Sequence, residues 1–240
     1  MTVCPSPHLS NNCAPTPLEV LGLSGVVAVA AGYSHSLALT WDGTLWAWGL
    51  NESGQLGNKK SGPGEKSLTP IRVEGLSGVV AIAAGTNHSL ALTRDGTLWA
   101  WGYNFYGQLG SGKPGDSSIP VPVKEVEDLS GKDLSGVVAI AAGASHSLAV
   151  TWDGTLWAWG RNDFGQLGNS TLTQSSTAAP VKEDVRAAGW PDEAQALVAG
   201  GEFHTLAVLA DGTMAAWGSN GWGQLGIETQ SLPEPVLWGP

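Results

Sequence analysis

The sequence predicts an all-β fold, a β-propeller-type array of four four-stranded blades, and three observations support this prediction. A glycine-rich stretch, whose clearest copy covers 78–110, occurs four times along the 240 residues. A repeat of about 50 residues indicates stacked supersecondary units. The short strand-like runs inside each copy are apolar on both faces, and tight-turn signals such as Asp95-Gly96 join them.

The repeat organises almost the whole chain. Residues 1–16 precede it and are expected to form a flexible N-terminal arm, because they are rich in proline, serine and asparagine. The propeller array is expected over 17–240. Its units cover about 17–57, 70–110, 120–168 and 180–226, and a partial fifth-unit strand follows at 233–238.

Each unit offers four short strand candidates, which in the second unit cover 70–73, 79–84, 89–93 and 98–102. An Asp-Gly pair separates the last two, and glycine accepts the positive φ that a tight hairpin turn needs. This pair occurs once per unit. We therefore expect its aspartates to be structural blade residues and not catalytic carboxylates: Asp42, Asp95, Asp153 and Asp211.

Alternation along the strands predicts sheets that are covered on both sides. Trp99 and Trp101 fall on one face of their strand and Leu98 and Ala100 on the other, because successive side chains of a strand point in opposite directions. A strand without a polar face is buried on both sides. Blades packed face to face provide this burial, and the paired tryptophans suit the wide gap between the outer parts of adjacent blades.

Each copy ends in Gly-Gln-Leu-Gly, and a polar segment of variable length follows the first three copies. These segments, 58–69, 111–119 and 169–179, are predicted to be surface connectors. The recurring glutamines are expected to hold loop backbone and not a ligand: Gln55, Gln108, Gln166 and Gln224.

The repeat also places one histidine in each unit: His35, His88, His146 and His204. A zinc site needs ligand nitrogens about 2 Å from one point, whereas equivalent positions of a propeller are spread around its ring. We therefore predict structural blade residues, each hydrogen-bonded to backbone within its own blade, with no metal and no cofactor. A serine follows three of these histidines, but adjacent strand residues point to opposite faces, which argues against a nucleophile and base pair.

Composition argues against several classes of function. The net charge is −10, with 11 basic against 21 acidic residues, whereas a nucleic-acid-binding surface needs clustered lysine and arginine. The sequence has neither a signal-peptide pattern nor a run of about 18 apolar residues. We expect no nucleic-acid partner, no membrane partner and a cytoplasmic location by default, or an extracellular one if the chain belongs to a longer secreted protein. The disulfide state of Cys4 and Cys13 stays open.

The motifs AAGxxHSLAL, DGTLWAWG and NxxGQLG, in this order and four times over, resemble the repeats of the regulator of chromosome condensation family, in a bacterial-type member. The resemblance implies a β-propeller, typically of seven four-stranded blades. Members include a nucleotide exchange factor for the small GTPase Ran, which also docks on chromatin, and a secreted bacterial inhibitor of β-lactamases. Many others are protein-interaction platforms.

Four units do not fill a seven-bladed ring, and an open arc leaves two apolar blade faces uncovered. Three arrangements follow, in order of preference. The first is an incomplete array that forms part of a longer propeller. The second is a homodimer of two arcs that completes an eight-bladed ring. The third is a small four-bladed ring in which 235–238 pairs beside the first blade.

The residues that differ between units are the best guide to function. A repeat scaffold that keeps its core and varies its loops is typical of an interaction surface, and exposed aromatic side chains commonly anchor such surfaces. The candidates are Tyr33, Phe105, Phe203 and Trp222. Local packing is the alternative at the third loop position, which is aromatic in three units: Tyr106, Phe164 and Trp222.

These features predict a non-enzymatic protein-interaction scaffold that binds a partner protein through propeller rim loops. Two alternatives stay open, and the first of them rests on the resemblance. One is regulation of a partner enzyme, by nucleotide exchange on a small GTPase or by inhibition of the β-lactamase type. The other is a carbohydrate-binding propeller.

Overall fold

The computed structural model describes residue 14 and residues 16–125, 132–181 and 198–227, and these residues form four antiparallel sheets, called blades 1 to 4 in chain order. No helix occurs in these ranges. The predicted all-β propeller fold is therefore confirmed. Blade 1 contains β1 (Val26–Ala31), β2 (His35–Thr40), β3 (Leu45–Leu50) and β4 (Lys66–Arg72), paired in sequence order.

The same order recurs in the later blades. Blade 2 contains β5 (Val79–Ala84), β6 (His88–Thr93), β7 (Leu98–Gly102) and β8 (Ser117–Pro122). Blade 3 contains β9 (Val137–Ala142), β10 (His146–Thr151), β11 (Leu156–Gly160) and β12 (Ser175–Pro180). Blade 4 has three strands within the described residues: β13 (Val198–Gly200), β14 (His204–Val208) and β15 (Met214–Gly218).

The blades are offset from the sequence units. The segment 70–73 was expected to open the second unit, but it belongs to β4, which pairs with β3 and completes blade 1. The segment that corresponds to β4 in blade 4, 233–238, lies outside the described residues. So do Cys4, Cys13 and most of the predicted arm over 1–16.

The outer strands also correct the predicted connectors. Strands β4, β8 and β12 begin inside the segments 58–69, 111–119 and 169–179 that were expected to be loops. An outermost strand pairs on one side only and is largely exposed, so its sequence is polar and resembles a loop. Pro70 is tolerated in β4 because an edge strand need not donate every backbone N–H.

Each blade packs on the next through its first strand. Strand β5 contacts β1 and β2, β9 contacts β5 and β6, and β13 contacts β9 and β10. The first strands therefore lie side by side along the inner edge of the arc. We call the side of a blade that meets the next blade its leading face, and the side that meets the preceding blade its trailing face.

Alternation along the strands separates these two faces. In the core between blades 1 and 2, Leu37 and Leu45 come from the leading face of blade 1, while Ala91 and Trp101 come from the trailing face of blade 2. Trp101 and its counterpart Trp159 are completely buried. Two predictions are thus confirmed for the interior of the array: the sheets of blades 2 and 3 are covered on both sides, and tryptophans fill the space between neighbouring blades.

The two ends of the array are uncovered among the described residues. Val29, on the trailing face of blade 1, is 74% exposed, whereas its counterpart Ile140 in blade 3 is 8% exposed. Met214, on the leading face of blade 4, is 65% exposed, whereas its counterpart Leu98 in blade 2 is fully buried. The described blades form an open arc and not a closed four-bladed ring.

Candidate functional site

The repeated histidines connect neighbouring blades. His35 Nε2 lies 3.0 Å from Ser89 Oγ, and His88 Nε2 lies 2.9 Å from Ser147 Oγ. The third junction repeats the pattern, with 3.1 Å from the His146 ring to the Thr205 hydroxyl. The expectation of a backbone partner within the same blade was wrong, because a side chain on the leading face points at the next blade.

The serine hydroxyl fixes the tautomer of the histidine. Ser147 Oγ donates to the backbone carbonyl oxygen of Gln108 at 2.8 Å. The serine oxygen therefore accepts a hydrogen bond from an Nε2–H on His88. Trp159 Nε1 donates to the same carbonyl at 2.9 Å. A histidine that donates through Nε2 cannot take a proton from this serine through that nitrogen, so the pair lacks the arrangement of a nucleophile and its base.

Burial keeps these histidines neutral. It lowers the pKa of His35 to about 4, and it lowers the pKa of His88 to about 3 with a smaller contribution from the neighbouring His35 and His146 rings. The pKa of His146 falls to about 4, mainly through burial. In the ranges that the structure describes, no three His, Cys, Asp or Glu side chains are grouped as metal ligands.

Close backbone contact between blades explains the glycine of the AAG motif. A Cβ on Gly85 would lie 2.6 Å from the Gly143 carbonyl oxygen and closer still to the His88 ring. Beside it, the Thr86 amide donates to the Ala144 carbonyl at 3.1 Å, and equivalent bonds join the other blades. In blades 1 to 3, the residue two positions before the histidine is therefore bonded to the next blade at the inner rim.

The Asp-Gly pairs form the turns that the sequence predicts. Asp95 Oδ1 accepts from Thr93 Oγ1 at 2.7 Å and from the Thr97 amide at 3.1 Å, and Gly96 adopts a φ of +81°. The hydrogen bonds from these threonines lower the pKa of the Asp95 carboxyl. Equivalent bonds from a threonine hydroxyl and from backbone hold the other three turn aspartates: Asp42, Asp153 and Asp211.

A second set of polar side chains shapes the loop after the third strand. Asn104 Oδ1 accepts from the Leu109 amide at 3.0 Å, and Gln108 Oε1 accepts from the Tyr106 amide at 3.0 Å. The same bonds recur in the other three loops, which confirms the predicted role of the glutamines. These side-chain hydrogen bonds therefore hold the loop backbone that carries the two variable residues, such as Phe105 and Tyr106.

The variable residues of blades 2 to 4 come together on the rim that these loops share with the turns before the histidines. We call this set the aromatic surface: Tyr103, Phe105, Tyr106, Arg161, Phe164 and Phe203. The guanidinium of Arg161 lies 4.7 Å from the Tyr106 ring centre and 4.9 Å from that of Phe203. Arg161 therefore bridges blades 2 and 4 from its position in blade 3.

The remaining rings extend the aromatic surface at both ends. Phe105 lies 5.0 Å from Tyr106 in an edge-on arrangement and 6.4 Å from the nearly parallel Tyr103 ring. At the other end, Phe164 lies 5.0 Å from Phe203. A cleft of about 430 Å³ lies beside Phe105 and is lined by Tyr103, Asn104, Phe105, Tyr106, Lys113 and Asp116.

The four predicted binding residues have different surroundings. Phe105 is 70% exposed and Phe203 is half-buried, and both belong to the aromatic surface. Tyr33 in blade 1 and Trp222 in blade 4 are exposed, Trp222 to 97%, outside that surface. Sequence reasoning missed Arg161. The available signal was its position directly after the Trp-Gly pair of the third strand, where the other units carry Leu50, Tyr103 and Ser219.

The opposite rim carries two exposed indoles that the sequence analysis did not single out. Trp41 and Trp152 occupy the residue before the turn aspartate, where unit two has Arg94. Each ring lies over the glycine that precedes its own first strand, Gly25 or Gly136. These tryptophans provide a second set of exposed aromatic side chains on the other side of the arc.

Comparison with known proteins places this geometry in a family. The model of the RCC1-like domain matches residues 6–238. The ultraviolet-B receptor UVR8 of Arabidopsis thaliana is 34% identical over 88% of this chain, and the human E3 ubiquitin-protein ligase HERC2 is 36% identical over 94%. The chain spans 46% of UVR8 and 4% of HERC2, so it corresponds to less than half of either protein.

Solved structures show the same fold. Human WBSCR16 superposes with a TM-score of 0.69 and 26% identity, over 84% of this chain and 50% of that protein. Prp20p from Saccharomyces cerevisiae gives a TM-score of 0.61 and 26% identity, over 75% of this chain and 43% of that protein. These four proteins come from a plant, from human and from yeast, and they do not support the narrower expectation of a bacterial-type member.

Proposed function

We propose, because the chain belongs to the RCC1-like domain family, that it is a non-enzymatic protein-interaction scaffold that binds a partner protein through the aromatic surface. The observation that carries this proposal is the Arg161 guanidinium placed between Tyr106 and Phe203, with the exposed Phe105 beside them. Tyrosine, phenylalanine and arginine are enriched in protein–protein interfaces.

The setting of these side chains favours binding. The Asn104 and Gln108 bonds hold the loop of Phe105 and Tyr106 in place, so little conformational freedom is lost when a partner docks. Arg161 is already oriented by Asp163, whose Oδ2 accepts from its Nε at 2.7 Å. The cleft beside Phe105 offers a recess for an apolar side chain of the partner.

The repeated polar residues support a role without catalysis. The His88 Nε2–H, the Ser147 hydroxyl and the Gln108 backbone carbonyl are hydrogen-bonded to one another inside a blade junction, away from solvent, while His88 Nδ1 has no partner there. The turn aspartates are each engaged by a threonine hydroxyl and a backbone amide. Their positions are explained by the fold, whereas Phe105 and Arg161 have no such explanation.

The relatives support the same class of function. Prp20p, the yeast protein with a matching fold, has described binding properties to Gsp1p and to histones. Regulation of a partner enzyme would be one consequence of binding through the aromatic surface. We place it second to binding itself, because no single contact of the surface favours nucleotide exchange or inhibition.

Affinity enrichment from cell extract of the source organism tests the proposal. The wild-type chain is compared with a double variant of the aromatic surface, Phe105→Ala with Phe164→Ala, and with a control on the opposite rim, Trp41→Ala with Trp152→Ala. We expect partner proteins that the wild type and the control enrich equally and that the Phe105 and Phe164 variant loses. Loss in the control alone would move the binding site to the opposite rim and overturn the proposal.

A further inference from the structure

The cleft beside Phe105 carries three aromatic rings. The nearly parallel rings of Tyr103 and Phe105 lie 6.4 Å apart, and the Tyr106 ring lies edge-on to Phe105 at 5.0 Å. Gln174 and Ser176 of the third unit complete the wall, so the cleft lies between blades 2 and 3. No other unit has aromatic residues at all three positions. The counterparts are Leu50, Glu52 and Ser53 in unit one, Arg161, Asp163 and Phe164 in unit three, and Ser219, Gly221 and Trp222 in unit four.

A carboxylate lies in the wall of the same cleft. Asp116 Oδ1 accepts from the Asn104 amide at 2.9 Å, which holds the carboxylate in place. Burial raises the pKa of the Tyr103 hydroxyl, and the negative charge of Asp116 raises it further, so the carboxylate acts on the aromatic part of the cleft. Among the residues that the structure describes, no lysine or arginine forms an ion pair with Asp116. The cleft therefore combines aromatic rings with an available negative charge.

These groups match the chemistry of a guanidinium. A guanidinium is planar and always charged, it stacks on aromatic faces, and it pairs with a carboxylate through two N–H groups. The same surface already contains such a contact, because the Arg161 guanidinium lies 4.7 Å from the Tyr106 ring centre. The methylene groups of an arginine suit the apolar part of the recess. The net charge of −10 favours the approach of a positively charged partner.

We propose that this cleft binds an arginine side chain exposed on the partner protein, with the guanidinium against the Tyr103 and Phe105 rings and at the Asp116 carboxylate. The inference rests on the proposed function, because it gives the aromatic surface a specific ligand. Lys113 also lines the cleft, and its positive charge opposes the binding that Asp116 favours. Lys113 is exposed, so solvent and salt weaken its repulsion.

NMR titration of the 240-residue chain with four short peptides tests this site. The peptides are capped glycine peptides that differ only in a central arginine, citrulline, lysine or glutamate. We expect the arginine peptide to shift the amide resonances of residues 103–107 and of Asp116. Citrulline has nearly the shape of arginine without the charge, and its peptide is expected to bind at least about threefold more weakly. The lysine peptide is also expected to bind more weakly than the arginine peptide, because an ammonium lacks the planar face and the paired N–H groups.

Variants of the cleft identify the groups that hold the guanidinium. Asp116→Asn keeps the oxygen that accepts from the Asn104 amide but removes the charge, so we expect it to bind the arginine and citrulline peptides equally. Glu202→Gln is the matched control: it removes an exposed carboxylate of the same rim that does not line the cleft, and it should keep the preference for arginine. Lys113→Gln removes the opposing charge and is expected to tighten arginine binding about twofold or more. Phe105→Ala is expected to weaken it about threefold or more.

Four results would overturn the inference. They are an arginine peptide that leaves the cleft resonances unchanged, equal affinities of the wild type for the arginine and citrulline peptides, an unchanged preference for arginine in Asp116→Asn, or a glutamate peptide that binds the cleft more tightly than the arginine peptide. The last result would assign the cleft to an acidic partner through Lys113.

Failure of this inference is distinguishable from failure of the proposed function. If the arginine peptide does not bind, while the Phe105→Ala and Phe164→Ala double variant still loses its partner proteins, the aromatic surface binds through other contacts and only this inference fails. If the arginine peptide binds as expected, while the double variant keeps every partner, only the proposed function fails.

Discussion

His88 of blade 2 and Ser147 of blade 3 lie 2.9 Å apart, and the Ser147 hydroxyl returns to blade 2 by donating to the Gln108 carbonyl. The two residues are 59 positions apart in sequence. Their contact shows the structural role of the repeated residues. The histidine, the serine or threonine, the tryptophan and the backbone carbonyl of the glutamine together join one blade to the next. The residues left to vary are those of the rim loops.

The first prediction concerns this bond. Ser147→Ala leaves the His88 Nε2–H without its acceptor and removes one donor to the Gln108 carbonyl. We expect the free energy of unfolding to fall by about 1–3 kcal/mol, the cost of unsatisfied buried polar groups. Urea unfolding followed by tryptophan fluorescence measures it. Ser61→Ala, in an exposed loop, is the control and should change stability by less than about 0.5 kcal/mol; equal effects of the two substitutions would contradict the role assigned to Ser147.

The second prediction concerns the close approach of blades 2 and 3. Gly85→Ala places a Cβ 2.6 Å from the Gly143 carbonyl oxygen, and neither backbone nor the His88 ring can move without opening the junction. We expect a large drop in melting temperature or loss of folded protein. Gly221→Ala is the matched control, because a Cβ there meets nothing within 4 Å. If both variants melt like the wild type, the junction is looser than described.

The third prediction is a pH dependence that originates in the buried histidines. Their folded pKa values, about 3 to 4, lie below the unfolded value of about 6.5. Below pH 6.5 the unfolded chain therefore binds protons that the folded chain does not, and stability falls as the pH falls from about 6.5 towards 4. Each histidine contributes up to about 1.4 kcal/mol per pH unit in this window.

Urea unfolding between pH 4.5 and 7.5 measures this dependence. The turn aspartates, whose lowered pKa values matter only below about pH 4, contribute little in that range. His88→Gln removes one titrating group and should reduce the slope, even though the variant is less stable at every pH. A His88→Gln slope equal to that of the wild type would show that His88 is not the group that resists protonation.

Local features of the fold could be predicted from the sequence. The Asp95-Gly96 turn depends on residues next to each other, and the two faces of β7 follow from alternation between Trp99 and Leu98. The outer strand β4 could not be predicted in its place. This strand is largely exposed and contains Pro70, so its sequence resembles that of a connector. It also pairs with the preceding strand β3, whereas the sequence assigned 70–73 to the following unit.

Contacts between blades could not be predicted from the sequence, for a different reason. The hydroxyl that His88 meets belongs to the next repeat, and a single unit gives no sign of which face meets which neighbour. For the same reason, only part of the aromatic surface could be predicted from the sequence. Phe105 and Phe203 could be selected as variable aromatics, but Arg161 became part of the site only when three blades brought Tyr106, Arg161 and Phe203 together.

The central claim is that repeated residues build the blades and the variable aromatic residues bind a partner. Its most direct test is the Kd of a purified partner protein for the wild type, for Phe105→Ala and for Trp41→Ala. The account predicts that Phe105→Ala raises Kd at least about tenfold, a loss of about 1.4 kcal/mol, without lowering the melting temperature, while Trp41→Ala binds like the wild type. An unchanged Kd for Phe105→Ala together with a raised Kd for Trp41→Ala would contradict it.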